Sequence, residues 1–137
     1  MADELRNAWK GIKMPPSQAE ECEAALKAAP NDLELRCKML GYFMSNRFID
    51  PAGLQKFHEH VLFTIKTFPD NKIAGSHYAQ FDLAIDGRAS YEEAKKLWQS
   101  QLLAHPDDAA IMTNAANFFA VADKRLSDEL KIKLQNI

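Results

Sequence analysis

The chain has little glycine, almost no cysteine, no alternating β-branched runs and no excess of charge, and each shortage narrows what it can be. Five glycines in 137 residues, with no strict apolar–polar alternation, leave few of the tight turns that strands require. Cys22 and Cys37, the two cysteines, are too few for a disulfide scaffold and too far apart in sequence for a redox or zinc pair. Seventeen basic and nineteen acidic residues give a formal charge of -2, so nothing attracts nucleic acid or an anionic membrane. No apolar run is long enough to cross a bilayer. The opening residues include Asp3 and Glu4, where a secretory signal would carry bases and then an apolar stretch, so a soluble cytoplasmic protein is expected. With 47% hydrophobic and 26% charged residues, the chain has the composition of one globular domain with a core.

The apolar residues that are present follow a helical period. Leu54, Phe57, Val61, Leu62, Ile65 and Phe68 fall on one side of a helix that opens at Asp50-Pro51. Capping boxes are read at Ser17 with Glu20, Asn31 with Glu34 and Ser90 with Glu93. The pattern predicts an all-α fold with helices at 3–12, 17–29, 32–46, 51–68, 71–86, 90–105, 108–122 and 127–136.

Between these helices one mark recurs: Pro30-Asn31-Asp32, Pro69-Asp70-Asn71 and Pro106-Asp107-Asp108. In each, proline ends the helix before it, and the Asp or Asn that follows can cap the next. Two helical patterns lie between successive marks, which is the signature of stacked helix pairs. Counted from the prolines, first-helix positions fall on Met112, Ala115, Ala116 and Phe119; on Arg36, Met39, Leu40 and Phe43; and on Gly75, Tyr78, Ala79 and Asp82. Second-helix positions fall on Ala94, Trp98 and Gln101, on Phe57, Val61 and Thr64, and on Gln18, Cys22 and Ala25. On these residues the chain resembles the tetratricopeptide repeat family, whose period is about 34 residues. It departs from the pattern at Leu40 and Asp82 and in longer links between the paired helices. The resemblance implies a right-handed superhelical array of antiparallel pairs, about seven to eight helices in all. Residues 1–16 would form an N-terminal helix and linker and 17–29 a leading helix; 30–68, 69–105 and 106–137 would form the pairs.

Chemistry-bearing motifs are sparse. His58 and His60 are two apart on a helix and point in different directions, so they cannot share one ion; His58 is expected to pack and His60 to be solvated. Asp82 to Glu93 nearly spells a calcium loop but has Ala84 at the third ligand position. The two cysteines read as ordinary buried thiols. No phosphate loop or serine elbow is present, so no enzyme, cofactor or metal is expected.

The expected site is the polar face of the first helices. Thr113, Asn114 and Asn117 are poor helix formers inside a helix, and Ser76, His77 and Gln80 occupy similar places one repeat earlier, with Arg36 earlier still. Such side chains can hydrogen-bond an extended backbone. Family members that grip a terminal carboxylate carry bases on this face; Ala110 and Thr113 stand there here, so that ligand is not expected. The resulting expectation is a non-catalytic module that binds a protein or peptide segment, with no nucleic-acid or membrane partner. One alternative is self-association as a homodimer through the terminal helices, using Leu126, Leu130, Leu134 and Ile137 or Leu5, Ala8, Trp9 and Ile12. The other is a small regulatory or metal-responsive protein using His58, His77 or His105.

Overall fold

Proline and aspartate set where the helices begin. In a computed structural model, which describes residues 3–137, every regular element among the described residues is helical. Helix α1 runs Asp3–Ile12, α2 Pro16–Ala28, α3 Leu33–Asn46 and α4 Pro51–Thr67. Two 3-10 turns, Lys72–Gly75 and His77–Ala79, precede a one-turn helix α5, Leu83–Asp86. Then follow α6 Arg88–Ala104, α7 Ala109–Phe119 and α8 Lys124–Gln135. No helix is long and apolar enough to cross a membrane, among the described residues. Residues 1 and 2 of the expected N-terminal segment lie outside them.

Asp32 and Asp108, each two residues after its proline, accept the amide hydrogens of Leu35 and Ile111 at 3.0 Å and so open α3 and α7. Asp50 does the same for Gly53 at 2.7 Å in α4. The three expected capping boxes are not the caps that form. α2 starts on Pro16 with no side-chain cap, α3 is capped by Asp32 and not Asn31, and Ser90 lies inside α6, which begins after Gly87. Proline at the first turn needs no amide partner, and Gly87, at φ 88°, supplies a bend that Ser90 cannot.

The helix expected over 71–86 is also corrected. Asn71 and Ser76 turn the backbone on themselves: Asn71 accepts from Ile73 N at 2.9 Å, and Ser76 Oγ donates to Ile73 O at 2.8 Å while accepting from Tyr78 N. These local bonds compete with the helical ladder, and Gly75 adds no propensity to hold it. The stretch expected as the first helix of the middle pair is therefore turn-rich, with α5 its one helical turn.

The chain divides into two compact units, one ending at His60 and one starting at Val61 within α4. In the first, α1 packs directly on α3, because Gly11 meets the Lys38 backbone and Gly41 meets the Ala8 carbonyl so closely that a methyl group on either would overlap it. Ala8, Cys37, Met39 and Leu40 are fully buried there. Met14, Ala19, Cys22 and Leu26 join Met39 in the same core. In the second unit Phe118 is the hub. It stacks on Tyr91 at 5.5 Å and meets Phe81, Trp98 and Phe119 at 6.1, 6.4 and 5.7 Å. Ser127 Oγ, buried, donates to Ala116 O at 2.8 Å and seats α8 on α7.

Candidate functional site

The first unit carries an open groove of about 750 Å³ along α2, α3 and the start of α4. Small residues create it. Ala24 on α2 faces the groove with Ala52 and Gly53 on α4, where larger side chains would fill the space. Tyr42, Phe43 and Asn46 of α3 also line it, and Ile49, 72% exposed, stands on its rim beside Phe48, 66% exposed. On α2 the residues Glu20, Glu23, Ala24 and Lys27 follow the i, i+3, i+4, i+7 pattern that places them on one face.

Beneath the groove a chain of polar groups ties three helices. Arg36 donates to His60 Nδ1 at 3.0 Å and to the Pro30 carbonyl at 2.7 Å, and His60 Nε2 lies 2.6 Å from Glu23 Oε1. A guanidinium has only donors, so Nδ1 accepts and the imidazole proton sits on Nε2, donated to the Glu23 carboxylate. Phe43 stacks on the imidazole at 5.5 Å. Burial pushes the Glu23 carboxyl up, but the His60 hydrogen bond and then Lys56, 3.6 Å away, outweigh it and hold the group below the ordinary glutamate value. Burial lowers the Arg36 value from its usual one, opposed by Glu23. His60 is 5% exposed, so the expectation of a solvated side chain is corrected: Arg36 and Glu23 satisfy both ring nitrogens and make its burial tolerable. His58 is half-buried.

The expected site residues fall into two groups. Arg36, in the first unit, belongs to the polar chain just described. In the second unit Asn114 is buried, and its amide donates to Pro69 O at 2.9 Å and Asn71 O at 2.7 Å, clasping the turn where Gly75 leaves room for it. Gln80 donates to Phe118 O at 2.7 Å, and Ser76 serves its own turns. Thr113 is exposed and donates to Ala109 O at 2.8 Å, its own helix. Asn117 is exposed, as is His77, whose ring lies 4.0 Å from that of Tyr78. The structure thus brings Asn114 to the 69–75 segment and Gln80 to α7, as internal ties. Glu20, Glu23, Lys27, Tyr42, Asn46, Lys56 and His60 were missed. The spacing of Glu20, Glu23 and Lys27 was visible in sequence, but the approach of α2 to α4 that turns it into a wall was not.

Among the described residues no group of three histidines, cysteines or acids could hold a metal ion. Asp82 and Asp86 are occupied by backbone: Asp82 accepts from Ala84 N and Ile85 N, and Asp86 from Asp82 N at 2.8 Å. Both cysteines are free and buried, and burial raises both thiols, Cys37 to about 12. The terminal stripes are covered along one edge, with Ala8 buried in the α1–α3 contact and Leu130 buried in α8, while Trp9 and Ile137 stay exposed. Compared with family models, curated proteins and solved structures, the chain matches none.

Proposed function

We propose that this protein is a non-catalytic interaction module of the tetratricopeptide-like kind, which holds a segment of another protein in the groove over α2, α3 and α4. The groove itself carries the reading: it is open, it joins aromatic and apolar lining to charged walls, and an exposed isoleucine stands on its rim. The repeat reading is supported by the aspartate caps at Asp32 and Asp108, by Phe43 and Phe119 at equal distances from their prolines, and by the fully buried pair Ala94 and Trp98 on α6. The Arg36–His60–Glu23 chain reads as an internal tie, because its groups come from three helices and the imidazole has both nitrogens engaged by the other two. The face formed by Thr113 and Asn117 is a lesser candidate, since Asn114, between them, is committed to the turn it clasps.

Selection of a displayed library of random peptides against the protein tests this. The expected result is a set of binders that fail on Ala24→Trp, a change at an exposed position that fills the groove while leaving the circular dichroism spectrum and melting temperature in place. Recovery of no binder, or of binders indifferent to that change, removes the groove from the protein's function.

A further inference from the structure

The groove is electrically polarised along α2, and this deepens the reading above, on which it rests. Glu23 is already engaged by His60 and Lys56. Glu20 and Lys27, at the two ends of the same wall, are exposed and make no ion pair among the described residues. They stand two turns apart, about 10 Å along the axis. Between them lie Ala24 and Glu23, whose charge His60 and Lys56 take up, with Tyr42 and Phe43 of α3. A bare carboxylate, an apolar middle and a bare ammonium in this order complement a ligand that carries a base, an apolar side chain and an acid at the same intervals. On a helix those intervals are met by residues two turns apart with an apolar residue one turn from each. Direction follows from the ligand's own dipole, which favours an acid toward its N-terminus and a base toward its C-terminus. Its acid then meets Lys27 and its base meets Glu20, so the ligand runs antiparallel to α2.

We propose that the groove receives an amphipathic helix of another protein, with Asp or Glu first, an apolar residue one turn later and Lys or Arg two turns after the acid. Exposed charge pairs are individually weak, so the two together act on orientation and choice of partner more than on total affinity.

The groove-dependent binders from the peptide library provide the test, with the double exchange Glu20→Lys/Lys27→Glu as second bait. Both positions are exposed, so the exchange leaves the core untouched; the single changes Glu20→Gln and Lys27→Gln back it up. The wild type is expected to enrich peptides with the acid before the base, and the exchanged protein peptides in the opposite order. Each protein should prefer its own class by roughly tenfold at low salt, with the preference fading as salt rises. Each single change should remove about half of that preference in free energy. Groove-dependent binders held equally well by wild type and exchanged protein would overturn the polarity while leaving the groove reading intact. A complete lack of groove-dependent binders would overturn both.

Discussion

Within the unit that ends at His60, α1 and α3 meet backbone to backbone; from Val61 onward α7 is packed through aromatic rings and tied by amide side chains. Gly11 and Gly41 bring α1 and α3 together with no side chain between them, and the result is two regular helices in long contact. Around Phe118 four rings set the distances, Asn114 holds the irregular backbone after Pro69 through its carbonyls, and Gln80 anchors that segment's far end to α7. Two glycines spread along the α1–α3 contact keep both backbones in register over its length, whereas the single Gly75 meets Asn114 from within a turn. A side-chain amide can reach the carbonyls of a turn, so in the second region irregular backbone is held in place. The open groove lies in the regular region, where rigid walls can keep a space unfilled.

Three substitutions would break or sharpen that contrast. The largest effect is expected from Gly41→Val, which drives a branched side chain into the Ala8 carbonyl and should cost about 3 kcal/mol. Hydrogen exchange should show lost protection in α1 and α3 with α7 unchanged; unchanged protection in α1 would mean that the close glycine contact is not what seats it. Next, Asn114→Ala should cost about 2 kcal/mol by leaving the Pro69 and Asn71 carbonyls without their donor. Amides of residues 72–79 should then exchange faster, whereas Thr113→Ala and Asn117→Ala, at exposed positions, should leave them as they are. Equal effects at all three positions would refute the division into internal ties and free surface.

The smallest effect concerns pH. The Glu23 value is lowered in the folded protein, so its stabilising effect is complete above the ordinary glutamate value and is lost as pH falls through the lowered one. Glu23→Gln should therefore reduce stability by about 1 kcal/mol at neutral pH, a modest figure because the group is partly screened by water. The two proteins should converge in acid, where both side chains are neutral; a gap that persisted there would place the effect in packing and not in charge.

Much of this architecture was legible in advance because it depends on neighbours in sequence. Proline stops and aspartate starts act within one turn, and the buried stripe through Phe57, Val61 and Ile65 needs only the helical period. The segment after Pro69 misled the same reasoning, since its apolar spacing is helical while Asn71 and Ser76 draw the backbone into turns. The candidate site was less legible. Asn114 stood out as polar inside a helix, yet whether an amide faces a ligand or a carbonyl from a distant turn depends on where that turn lies. His60 drew attention for its neighbour His58, while the groups that make its burial tolerable, Arg36 and Glu23, come from two other helices.

Helical period, the positions of the breaks and the near balance of charge are properties of the chain alone, because each arises from residues adjacent in sequence or from their sum. Only the tertiary structure decided which polar residues are spent inside and which remain available, since a hydrogen bond between helices depends on an approach that no local pattern encodes. The same approach left a space between α2 and α4, walled by Glu20 and Lys27, that small residues permit and that only packed helices can hold open.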